Sequence, residues 1–174
     1  MDFLRIFIKF SIFISCLLIS YGFCLKDVYY KEVGVREKTG NNDGVRVEEY
    51  LRSAGLSKGS PWCASFIYWT YLKCGDTLDI KYPGWVPSYF PKDKLIYQRG
   101  TDINKRKPII GDLIGIWFSS KGRLAHIGFY DGEDDYFYYT VEGNTNEKGS
   151  REGDGVYRKK RIKRQIHSIS NWCE

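Results

Sequence analysis

A thiol hydrolase needs a cysteine, a histidine and an acceptor that orients the histidine, and this 174-residue chain holds those residue types in that order. Cys63 stands in "SPWCASFIYW", directly after Pro61-Trp62 and at the front of a run too apolar to be a loop. In the first turn of a helix, unsatisfied amides and the positive end of the dipole favour a thiolate. A cysteine that only packs gains nothing from that position. A thiolate nucleophile also needs a base, and the chain has two histidines. His126 lies in "RLAHIGFY", where strand alternation puts Ala125, Ile127 and Phe129 on one face and His126 with Gly128 on the other. Gly128 leaves room for another group to approach the imidazole. His167, among Ile166 and Ile169, reads as structural. The base requires an acceptor for its second ring nitrogen. "TVEGNTN" presents Glu142 and Asn144 on one face, one strand later, and the sequence leaves open which of them does the orienting. Each feature alone also has a structural reading: a packed cysteine, a satisfied strand histidine, a strand end entering a turn. Their joint order points to a thiolate nucleophile with an oriented base.

These residues depend on elements that the chain also encodes. "NNDGVRVEEYLRSAGL" predicts a helix capped by Asn42 or Asp43, with Val47, Tyr50, Leu51 and Ala54 at helical spacing and Gly55 as the stop. "WCASFIYWTYLKCG" predicts a second helix from about Cys63 to Lys73, apolar nearly all round and therefore buried. "KYPGWVPSYFP" must be an irregular crossing. The second half changes period: "DLIGIWF", "AHIGFYDG", "YFYYTVEGN", "GVYRKKRIKR" and "IHSISNWC" read as short strands separated by turn signals. Helices followed by an antiparallel meander predict an α+β fold, with the buried helix packed on a sheet of about five strands.

The N-terminus reads as a separate matter. Arg5 and Lys9 precede an uncharged apolar stretch from Phe10 to Leu25, the pattern of a secretory leader over residues 1–25, with cuts after Gly22 or Cys24 both open. A lipid-bearing Cys24 and an uncleaved amphipathic anchor are the alternatives. Residues 26–174 then form one domain, and a monomer is expected. Net charge is +6, which in an exported protein suits an anionic cell-wall or membrane surface rather than nucleic acid. Of five cysteines, Cys16 goes with the leader and at most Cys24, Cys63, Cys74 and Cys173 remain, among which a Cys74–Cys173 bridge is one possible pairing. No Cys/His cluster suggests a metal. Trp62 and Trp85 are candidate substrate-binding aromatics. The basic run "YRKKRIKR" reads as a solvated strand edge or as an electrostatic grip on an anionic polymer.

"PWCASFIYW", "GDLIGIWF", "AHIGFYDG" and "TVEGNTN" together resemble the CHAP family, cysteine- and histidine-dependent amidohydrolases/peptidases with a papain-like core. The likeness spans about residues 34 to 172 and is closest to the bacterial branch that opens with an "EKTGNNDG"-type segment. It implies Cys63 as nucleophile, His126 as base, and Glu142 with Asn144 as the orienting pair. It also implies peptidoglycan as substrate, cut at a stem-peptide bond or at the muramoyl-alanine amide. Calcium-binding members carry acidic residues just before the cysteine. "GLSKGSPW" has none, so no calcium or other cofactor is expected. Nor does an Asn or Gln precede Cys63 more closely than Asn42, which leaves the Cys63 amide as the default oxyanion donor. A non-catalytic exported wall-binding protein is the alternative of a different class. A toxin or lysin would use the same chemistry in another role.

Overall fold

The computed structural model describes residues 22–147 and 153–173. Residues 1–21 of the expected leader lie outside them. Helix α1 is described over residues 22–31, α2 spans Val45–Ser53 and α3 spans Cys63–Lys73. Six strands follow: β1 (Leu95–Gln98), β2 (Leu113–Phe118), β3 (Arg123–Glu133), β4 (Phe137–Thr145), β5 (Gly155–Ile162) and β6 (Ile166–Ser170). The fold is α+β with a wholly antiparallel sheet in the order β1-β6-β2-β3-β4-β5.

Only β2 to β5 form the expected meander. β6 turns back to pair with the free side of β2, and β1 pairs with β6, which raises the strand number to six. β1 is four residues long, with only Leu95 and Ile96 buried, too short to show an alternation in sequence. On the opposite side, residues 34–37 run along β5. The Gly34 amide bonds Val156 O at 3.1 Å and the Glu37 amide bonds Asp154 O at 2.8 Å, so part of that edge is covered.

The core lies between the sheet and the helices. In α2, Val47, Tyr50 and Leu51 are buried at positions i, i+3 and i+4. Its N-cap is Gly44, not Asn42 or Asp43. The Asp43 carboxylate turns back to the Thr39 amide (2.8 Å) and hydroxyl (2.9 Å), and Glu48 instead accepts the Gly44 amide at 3.2 Å. α3 buries every residue except Tyr68, Leu72 and Lys73, as its all-round apolar character requires. It lies across β3 and β4, where Phe66 meets Phe129 edge-on and Tyr29 of α1 stacks on Phe129 at 4.8 Å. Each such fully buried ring contributes about 1.5–3 kcal/mol.

α1 belongs to this core. Tyr29 and Leu25 are fully buried, and Cys24 forms a disulfide with Cys74 at the end of α3. Residues 22–25, assigned from sequence to the leader, are thus part of the folded unit. The bridge also replaces the Cys74–Cys173 pairing that spacing permitted, and Cys173 is a free thiol whose burial pushes its pKa up to about 12.

Candidate active site

Cys63 is the first residue of α3, and Trp62 is its N-cap. The first intrahelical bond runs from the Phe66 amide to Trp62 O (2.9 Å), so the Cys63 and Ala64 amides precede the helical ladder at its positive end. Four hydrogen bonds, through Glu37 and Tyr89, hold this turn in place. The Trp62 indole donates to Glu37 Oε1 at 2.8 Å, while Glu37 Oε2 accepts the Asn42 amide at 2.9 Å. Tyr89 donates its hydroxyl toward Ala64 O at 3.1 Å and Pro83 O at 2.7 Å. Burial, then the neighbouring Tyr68 and Cys63, raises that phenol's pKa well above the usual value. On the sheet side Gly143 faces the helix. A Cβ there would sit 2.7 Å from Trp62 Cζ3 and 2.9 Å from Phe66 Cβ.

His126 arrives from β3 and is 1% exposed. Its Nε2 bonds Glu142 Oε2 at 2.8 Å. Gly128 makes this possible, because a side chain there would meet Glu142 Cγ at 2.5 Å. The room seen in sequence beside the imidazole is filled by the partner that orients it. Nδ1 is then the nitrogen left for the thiol. It has no hydrogen-bond partner among the described residues, and Cys63 is the neighbour whose charge acts on the ring besides Glu142. Burial lowers the imidazole's pKa, but Cys63 and Glu142 outweigh it, raising the value to about 9.

Glu142 is equally buried and has further partners. Arg161 grips it with two bonds, Nε to Oε1 at 2.8 Å and Nη2 to Oε2 at 2.5 Å, and Thr140 donates to Oε1 at 2.6 Å. Burial alone would raise its pKa, but Arg161 first and His126 second hold the carboxyl well below the usual range. The series is therefore the buried Cys63, His126 and Glu142, with the partly buried Arg161 behind them.

Sequence reading missed Arg161, which sits inside the basic run and looks like any other surface cation there. That run is not a free positive edge. Arg158 pairs with Asp131 (3.0 Å), Lys160 with Asp134 (3.4 Å) and Lys163 with Glu133 (2.8 Å), while Lys159 bonds the carbonyls of Asn146 and Glu147. Glu37 likewise carries no sequence signal of its role, which is to brace Trp62.

Asn144 is not brought to the imidazole. It adopts φ +52°, and the β4–β5 register shifts between Glu142 and Thr145, so it no longer shares Glu142's face. Its Oδ1 accepts the Gly153 amide at 3.3 Å, and its buried Nδ2 has no partner among the described residues. Trp62 does not line a groove either: it is fully buried, stacked on Tyr50. Trp85 is 44% exposed, with the Arg123 guanidinium 3.9 Å from its ring centroid. Among the described residues, no three His, Cys, Asp or Glu side chains group as metal ligands.

No family model matches the chain, and no curated protein matches it in sequence.

Proposed function

We propose that this protein is an exported, papain-like cysteine hydrolase of the CHAP type that cleaves an amide bond in peptidoglycan. The observation that carries the reading is the buried series of a helix-start cysteine, a strand histidine and a carboxylate on the histidine's far nitrogen. His126 takes the proton of Cys63, or pairs with its thiolate, and the sulfur attacks the amide carbonyl. The oxyanion forms at the start of α3, where the Cys63 amide is the nearest donor. Protonated His126 gives its proton to the leaving amine, then activates water to hydrolyse the thioester. Glu142 keeps the imidazole in the tautomer that leaves Nδ1 for sulfur. A stem-peptide link and the muramoyl-alanine amide both present the same group to the thiol.

Digestion of purified sacculi, read by mass spectrometry, tests the proposal. New amine termini on muropeptides with intact glycan strands are the expected result, and Cys63→Ala must abolish them. Sacculus binding without release of fragments would overturn the hydrolase reading in favour of a wall-binding protein.

A further inference from the structure

Resting on that hydrolase reading, we propose that Arg123 and Trp85 form a subsite for a free carboxylate on a peptide substrate, close to the scissile amide. Arg123 is set apart from four other arginines of this molecule by what it contacts. Arg46, Arg106, Arg158 and Arg161 each pair with a carboxylate. Arg123 has no acidic partner among the described residues. Its Nη1 donates to Leu124 O at 2.9 Å, and its guanidinium lies over the half-exposed Trp85 ring. The ring holds the cation in place while Nε and Nη2 remain unspent. Those are the donors of a guanidinium edge that accepts a carboxylate.

Both residues are tied to the reacting groups. Arg123 and His126 lie in β3 opposite Phe118 and Ile116 of β2, two β2 positions apart and so about 7 Å at strand spacing. Trp85 leads into the turn Val86–Tyr89, through the Ser88 amide bonded to Trp85 O at 3.0 Å, and Tyr89 reaches Ala64 beside Cys63. An extended peptide with its carbonyl at Cys63 therefore reaches the pair within about three residues, at roughly 3.5 Å each. Beside Trp85 runs a groove of about 580 Å³ lined by Leu56, Lys81, Tyr82, Pro83 and Gly84 among others, and no carboxylate lines it. Its one charged lining residue, Lys81, is complementary to an acidic peptide.

Two synthetic peptides distinguish this subsite from the reaction itself. They differ only at one residue near the scissile amide, which bears a carboxylate in one and a carboxamide in the other. Calorimetry with the Cys63→Ala protein measures binding without turnover. The carboxylate peptide is expected to bind about tenfold more tightly, the scale of one charge-assisted contact. The preference should shrink as salt rises. Arg123→Gln should make the two peptides bind alike, while Arg123→Lys should keep part of the preference, because charge remains without the fork. Equal binding by the parent Cys63→Ala protein overturns the subsite, as does a preference that survives Arg123→Gln. Cleavage of both peptides at equal kcat/KM by the intact enzyme would sink the subsite and leave the hydrolase standing. Preferential binding with no cleavage by intact enzyme would do the reverse.

Discussion

Glu142 accepts bonds from His126, Thr140 and Arg161 at once, and this sets what each neighbour can do. A carboxylate buried at 1% exposure would shed its charge unless paired, and the Arg161 fork keeps it ionised well below the usual carboxylate range. Glu142→Gln retains the shape and loses the charge. It should lower kcat by about 10²- to 10⁴-fold with little change in KM, the range for groups in general acid–base work. Arg161→Met strands a buried anion and is expected to cost about 3–5 kcal/mol of stability. Arg161→Lys keeps charge but not the fork. With Arg161's hold weakened, Glu142 protonates at higher pH, so the acid limb of the rate profile should move up; an unmoved acid limb would make Arg161 a purely structural residue. The alkaline limb reports His126. Its pKa lies near 9 rather than 6.5, so kcat/KM should persist past neutrality and fall only as pH passes about 9, where the imidazole no longer carries the proton for the leaving amine. Stability follows the same signs. The His126 contribution is complete below 6.5 and lost as pH rises through about 9, whereas that of Glu142 is complete above 4.5 and lost as pH falls. Thermal melts across pH should therefore be highest between those two ordinary values.

At the scale of elements, the helix-start cysteine and the strand histidine were legible because each follows from local periodicity. The apolar run of α3 fixes where it begins, and alternation in β3 separates His126 from Ile127. What was not legible depended on departures from period. Ala125 is an extra residue in β3, since Ile116 pairs with His126 but Trp117 with Leu124. At Asn144 a left-handed backbone breaks the i, i+2 relation that had joined it to Glu142. Arg161 and Glu37 act through partners distant in sequence, and no spacing announces them. Gly143 shows how much the site depends on one close approach. It has no side chain because Trp62 and Phe66 press against β4 there, and Cys63 rides on the same helical turn. Gly143→Ala is an overpacking change expected to cost about 1–3 kcal/mol. Because relief requires α3 to lift from the sheet, it should also pull Cys63 from His126. Iodoacetamide labelling at mildly acidic pH is expected to favour Cys63 over Cys173 in the parent and to lose that preference in Gly143→Ala. Preserved labelling with lowered stability would show the helix start to be held by Glu37 and Tyr89 alone.

For the whole molecule, fold class was readable from the order of helices and strands, but closure of the sheet and of the chain was not. β6 and β1 reach back past β2 through contacts that no local pattern encodes. Likewise the Cys24–Cys74 bridge required knowing that α1 packs against α3. That bridge closes a loop with a sequence separation of 50, for which chain entropy gives roughly 4 kcal/mol. It also constrains any processing of the leader. A cut after Gly22 keeps Cys24, while a cut after Cys24 removes it and frees Cys74. Leu25, fully buried beside Gly111, has a stake in the same choice. If the leader is removed on export, the cut should therefore fall before Cys24, and intact mass under non-reducing conditions should show a protein that begins at Phe23 or earlier with two free thiols, Cys63 and Cys173. Cys24→Ser is expected to lower the melting temperature by about 10 °C, since 1 kcal/mol is worth about 2–4 °C in a chain of this size. Alkylation of that variant should then find Cys74 reactive. A mature chain beginning at Leu25, with a Cys74–Cys173 bridge in its place, would mean that α1 is held by packing of Leu25 and Tyr29 alone.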